Sequence, residues 1–120
     1  MAKNTNRYHA EVLRVIDGDT FEMMIDLGFG VTQKFHVRLD GIDTPEISTV
    51  KGRQVKEFVK DLIEGKSVMV TDEGAEKYGR ARAGIELSNG KDLTEYLIES
   101  NIGVEYHGGK KQGLVALSMI

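Results

Sequence analysis

Cysteine is missing from all 120 residues, so neither a disulfide framework nor a cysteine-built metal site holds this chain together. At this length one hydrophobic core buries roughly two-thirds of the unfolded surface, enough for folding without either. The same absence is neutral as to redox compartment. No apolar run approaches the length of a membrane span, and Met1 to Arg7 contains no signal-peptide core. The expectation is a soluble cytoplasmic protein with no membrane partner, a processed export precursor being the alternative. Excess positive charge is absent too: 16 Lys and Arg stand against 19 Asp and Glu, a formal charge of −3. That weighs against holding a polyanion by bulk electrostatics alone, and points to local cations, a divalent metal or a few placed arginines, as the means. There is no internal repeat, no low-complexity tract, no glycine-rich phosphate loop and no Ser/His/Asp constellation. His9, His36 and His107 lack metal-ligand spacing and are expected at the surface.

What is present is an ordinary globular composition, 40% hydrophobic and 29% charged, which fits a single domain over residues 1–120 with 1–7 and 108–120 flexible or atypical. A monomer is the expected state. His9 to Ile16 and Thr20 to Asp26 read as strands around an Asp17-Gly18 turn, and Thr32 to Asp40 as a third strand after the turn at Gly28 to Gly30. In that third strand Phe35, Val37 and Leu39 alternate with Lys34, His36 and Arg38, so Arg38 belongs to the polar face. Val55, Phe58, Val59, Leu62 and Ile63 recur at helical spacing, with Gly65 as a left-handed terminator. Lys51, Arg53, Lys56 and Lys60 then form its solvated face, the first two also placed to approach a substrate strand. Val68 to Thr71 and Ala83 to Leu87 are further strands, Asn89-Gly90 a turn, and Asp92 with Glu95 a capping box opening a short helix. Three strands, a helix, two strands and a helix is the order of a five-stranded OB-fold β-barrel with an inserted helix, an α+β domain.

Four segments carry chemistry: Ile16-Asp17-Gly18-Asp19-Thr20, Val37-Arg38-Leu39-Asp40-Gly41-Ile42-Asp43-Thr44-Pro45-Glu46, Lys77-Tyr78-Gly79-Arg80, and Tyr106. Taken singly they have plain readings: a hairpin turn for Asp17 to Asp19, a strand's polar side for Arg38, a loop cation for Arg80, a packing tyrosine for Tyr106. Together, and in this order, they resemble the staphylococcal nuclease family from about Tyr8 to about Tyr106.

The resemblance implies that Asp19 and Asp43 are carboxylate ligands of one Ca2+, with the Thr44 carbonyl and water completing the shell. Such a mixture of hard oxygens suits calcium, and Thr44, preceding Pro45, is biased to extended backbone that can turn its carbonyl toward a metal. It further implies that Glu46 orients or deprotonates the attacking water, and that Arg38 and Arg80 grip the scissile phosphate through guanidinium forks. Tyr78 and Tyr106 are implied contacts to the nucleotide, by stacking or hydrogen bonding. The implied activity is Ca2+-dependent hydrolysis of DNA and RNA with little sequence specificity, leaving 3′-phosphate and 5′-hydroxyl ends. The alternative is a non-catalytic nucleic-acid- or protein-binding OB-fold module, as in the degenerate repeats of Tudor-containing scaffold proteins. The intact set Asp19, Arg38, Asp43, Glu46 and Arg80 favours the enzyme.

The chain departs from the family pattern in two places. The loop Ile47 to Lys51 is shorter than the lysine-rich loop of the family's secreted members. After Tyr106, glycine-rich residues 108–113 and only seven more, Leu114 to Ile120, stand where the family builds a third helix, which is therefore expected to be shortened or absent.

Overall fold

A computed structural model describes residues 6–75 and 79–106. Five strands close into a barrel in the order β1-β2-β3-β6-β5, where β1 is Arg7–Asp17, β2 Thr20–Gly28, β3 Val31–Leu39, β5 Ser67–Ala75 and β6 Ala81–Glu86. β1 is long enough to serve two neighbours. Its first part, Arg7 to Glu11, pairs with β5, and Ala10 to Asp17 pairs with β2. Irregularities between Val12 and Arg14 and between Val15 and Asp17 bend it from one neighbour toward the other, as bulges do. Every barrel pairing is antiparallel except β3 with β6, which run parallel through Val37–Ala81, Arg38–Arg82 and Leu39–Ala83. A parallel pair requires a crossover, and the chain between them holds helix α1 (Val50–Ile63) and β5.

α1 buries Val55, Val59 and Ile63 on one stripe, as the helical spacing anticipates. Val59 and Ile63 are fully buried against the barrel, each contributing ~1.5–3 kcal/mol by removal from water. The helix begins five residues before the first periodic position, because Thr49 caps it by accepting the Gly52 N–H. Lys51, Arg53 and Lys60 are exposed, whereas Lys56 is half-buried. Glu64 is the C-cap and Gly65 follows at φ +80°, the left-handed stop. α2 (Leu93–Glu99) is capped by Asp92, which accepts the Glu95 N–H at 3.0 Å, and it plants Leu93 and Leu97 in the core.

Three expectations need correction. The first hairpin's loop is Gly18-Asp19 rather than Asp17-Gly18, because Asp17 still pairs with Thr20 while its carboxylate accepts the Asp19 N–H at 3.1 Å. β5 runs to Ala75, four residues past the expected end at Thr71, since the ladder with β6 resumes beyond an irregularity after Asp72. A separate two-stranded sheet, β4 (Ile42–Asp43) with β7 (Val104–Glu105), escapes any periodicity reading at two residues per strand. The expected changes in the third-helix region, 108–120, fall outside the described residues. No described helix is long and apolar enough to cross a membrane.

Candidate functional site

The β1–β2 turn, the end of β3, β4, the segment from Thr44 to Ile47, Arg80 just before β6 and Tyr106 just after β7 converge on one cleft of about 510 Å³. Asp19, Arg38, Asp43, Thr44, Glu46, Arg80 and Tyr106, widely spread in sequence, all line it. Tyr78 lies outside the described residues.

Asp19 is the most enclosed of the acids, 7% exposed. Its loop position is possible because Gly18 has no side chain: a Cβ there would lie 2.6 Å from Val55 Cγ1 and 2.8 Å from Thr44 Oγ1. The turn is thus packed between α1 and the Thr44 segment. Asp19 Oδ2 accepts the Thr44 N–H at 3.1 Å and Oδ1 accepts the Thr20 hydroxyl at 3.2 Å. Burial pushes its pKa from 3.8 to about 6. A hydrogen bond with the Asp17 carboxyl and that group's charge add to the rise, while Arg38 and the Thr44 N–H oppose it.

Arg38 sits on the outer face of β3, as the alternation requires, yet its side chain is only 14% exposed. The chain from Leu39 to Asp43 folds back over it. Nη1 donates to the carbonyls of Leu39 at 3.0 Å and Ile42 at 2.8 Å, and lies 3.4 Å from Asp19 Oδ2. Nη2 reaches Asp43 Oδ1, also at 3.4 Å. One guanidinium therefore bridges both predicted metal-ligand carboxylates and ties down the loop carrying the second. The half-buried Tyr106 has its ring centroid 6.0 Å from Arg38 Cζ, and its backbone N–H donates to the Gly41 carbonyl.

Arg80 donates from Nη1 to the Thr20 hydroxyl at 3.2 Å, and that hydroxyl in turn donates to Asp19. Thr20, 4% exposed, is thus a relay between an arginine and an acid. The sequence motif contains Thr20 without assigning it a role, and Asp17, a fourth acid in the same cleft beside Asp19, Asp43 and Glu46, reads there as a turn residue. Glu46 is exposed at the rim, at the end of the path from Thr44.

The donor set suits a hard cation in an open, water-rich site. Asp19 and Asp43 supply carboxylates, the buried Asp19 anion lacks full compensation, as its raised pKa reports, and no soft ligand lines the cleft. Among the described residues no group of three His, Cys, Asp or Glu is placed to cage a metal, and a cation held by Asp19 and Asp43 would need carbonyl and water for its remaining positions.

The family described as staphylococcal nuclease homologue matches residues 36–113, well over half of the chain. The chain belongs to the staphylococcal nuclease family. The match starts at His36, so the Arg38, Asp43, Glu46 and Arg80 positions fall within it, while Asp19 is brought to them by the barrel. An uncharacterized endonuclease of Escherichia coli O157:H7 is 31% identical over 98 residues, covering 82% of this chain and 61% of the relative. A micrococcal nuclease of Shigella flexneri is 33% identical over 73 residues, 61% of this chain and 39% of the relative. The Arabidopsis thaliana staphylococcal-like nuclease CAN1 is 29% identical over 86 residues, 72% of this chain and 26% of the relative. The chain spans less than two-thirds of the length of each of these relatives.

Proposed function

We propose that this member of the staphylococcal nuclease family is a calcium-dependent nuclease, hydrolysing phosphodiester bonds in DNA and RNA with little sequence preference and leaving 3′-phosphate and 5′-hydroxyl ends. The observation that carries the proposal is the gathering of two carboxylates, two arginines and a rim glutamate around one cleft. Names of relatives support the same class of chemistry.

Asp19 and Asp43, with the Thr44 carbonyl, would hold the cation. Calcium, when bound, supplies positive charge against the phosphate oxygens. Arg38, already oriented by two carbonyls, presents a guanidinium beside those acids, so the phosphate meets a donor whose position does not depend on substrate. Arg80, tied to Thr20, approaches from the β6 side and stabilises charge developing on the same phosphate. Glu46, exposed at the rim of the cleft, takes a proton from the attacking water. Tyr106, stacked near Arg38, contacts the adjoining nucleotide, and Tyr78 is proposed for the same task.

The deciding experiment incubates purified protein with single- and double-stranded DNA and RNA in calcium, magnesium or chelator, and identifies product ends. Cleavage in calcium, lost in chelator and in Glu46→Gln, supports the proposal. Binding of nucleic acid without cleavage in any metal would transfer the chain to the class of binding modules.

A further inference from the structure

Gly52 lies in the first turn of α1, fully buried, where glycine is a poor choice for helix stability. Its φ is not in the left-handed region, so backbone freedom is not the reason. Space is. A Cβ on Gly52 would fall 1.8 Å from the carbonyl oxygen of Glu46, 2.4 Å from its carbonyl carbon and 3.0 Å from the Ile47 nitrogen. All three obstacles are main chain and cannot rotate aside.

The same carbonyl oxygen accepts two hydrogen bonds from Thr49, from its N–H at 3.0 Å and its hydroxyl at 2.7 Å. The Thr49 hydroxyl also accepts the Gly52 N–H at 2.9 Å, so one oxygen links the Glu46 peptide to the helix turn. Six residues before α1 begins at Val50, Thr44 is pinned by its own N–H to Asp19. Between these anchors stand only Pro45, Glu46, Ile47 and Ser48, with Pro45 restricting the residue before it.

Given the nuclease reading above, we infer that Gly52 and Thr49 are positioning residues for Glu46, clamping its main chain onto α1 so that its carboxylate reaches the cleft from a fixed base. The short loop is then a device: rigidity replaces length, and only the Glu46 side-chain torsions stay free. Holding a reacting group in place removes an entropic part of the barrier, and a displacement of about 1 Å can cost about 10²-fold in rate. Gly52→Ala forces a displacement of that order, because contacts under 3.0 Å are not sustained by real Cβ atoms and the starting distance is 1.8 Å.

The test is a double-mutant cycle with a structural arm. Gly52→Ala should lower kcat about 10²-fold with KM little changed, and should lower it no further in a Glu46→Gln background. Thr49→Ala, which removes the hydroxyl without adding an atom against the Glu46 carbonyl, should act in the same direction, and Thr49→Ser should restore turnover. In the metal-free protein, hydrogen exchange at the Thr49 amide should be slow and should speed up in Gly52→Ala. Wild-type kcat in Gly52→Ala, an equal further loss in the Glu46→Gln background, or unchanged Thr49 exchange would overturn the inference. A wild-type protein inactive in calcium would remove the nuclease reading, while the exchange arm still decides whether the clamp exists.

Discussion

Arg38 and Asp19 meet with Nη1 and Oδ2 3.4 Å apart, and the same Nη1 holds the carbonyls of Leu39 and Ile42. The arginine is therefore part of the scaffold of the cleft as well as a donor facing into it, which separates it from Arg80.

Arg38→Lys and Arg80→Lys should differ in what they damage. An ammonium cannot span two carbonyls and two carboxylates in a planar fork. Arg38→Lys should lose turnover and also stability, ~1–3 kcal/mol, because buried acceptors lose their partner. Arg80→Lys should lose turnover by about 10²–10³-fold while melting near wild type. Steady-state rates and thermal unfolding check both, and equal melting temperatures for the two variants would count against the scaffold role of Arg38.

The raised pKa of Asp19 sets a pH dependence of stability in the metal-free protein. Folded, the group titrates near 6 rather than 3.8, so the fold holds the proton more tightly than the unfolded chain does. Its contribution is fully present below 3.8 and is lost as pH rises through about 6, ~3 kcal/mol in order of magnitude. Asp19→Asn should remove that loss, abolish activity and leave the protein at neutral pH in chelator as stable as wild type or more so. Denaturant unfolding across this pH range is the measurement. An Asn variant clearly less stable in chelator would make Asp19 a structural turn residue.

Calcium should raise the melting temperature of the wild type with the logarithm of its concentration once that exceeds Kd, and do far less for Asp19→Asn. The binding should weaken on acidification, since a proton competes for the Asp19 carboxylate with a pKa of about 6. Titration by calorimetry at neutral pH and at pH values below that pKa reads this directly. A calcium affinity indifferent to pH in this range would place the cation elsewhere.

Magnesium should support little turnover, because it demands near-ideal octahedral geometry and dehydrates reluctantly, whereas two carboxylates with carbonyl and water form a loose site. Equal rates in the two ions at matched ionic strength would contradict this. Among substrates, single strands and breathing A·T-rich duplex should be cut faster than closed G·C-rich duplex, since a cleft of this size admits a backbone and a base rather than a helix.

The barrel was legible in the sequence wherever burial imposes a period. Phe35, Val37 and Leu39 in β3 and the Val55–Val59–Ile63 stripe of α1 are such cases. What escaped has no period to carry it. Two-residue strands such as β4 and β7 alternate over too short a span, and β5 beyond Thr71 is exposed, so its ladder leaves no apolar trace. The candidate site residues rest on resemblance rather than on pattern, and those the sequence leaves without a role make their contacts through neighbours. Thr20 matters because Arg80 and Asp19 flank its hydroxyl, and Gly52 because the Glu46 carbonyl rests on it. Contacts of that kind are properties of the folded pair, although a glycine just inside a capped helix is a signal that close packing occupies the missing side chain.

The pairing of β4 with β7 joins Asp43 to Val104, and every barrel strand lies before Val104 in the chain, the last ending at Glu86. At synthesis rates of about 5–20 residues per second, the strand that backs Asp43 is made several seconds after Asp43 itself. The barrel can thus close around its apolar core while one of its two acidic arms still lacks its partner. Assembly separates into a stage that makes a shape and a later stage that makes it reactive, so a chain interrupted after α2 has supplied Leu93 and Leu97 to the core, between residues 99 and 104, would be expected to leave a folded but unarmed product.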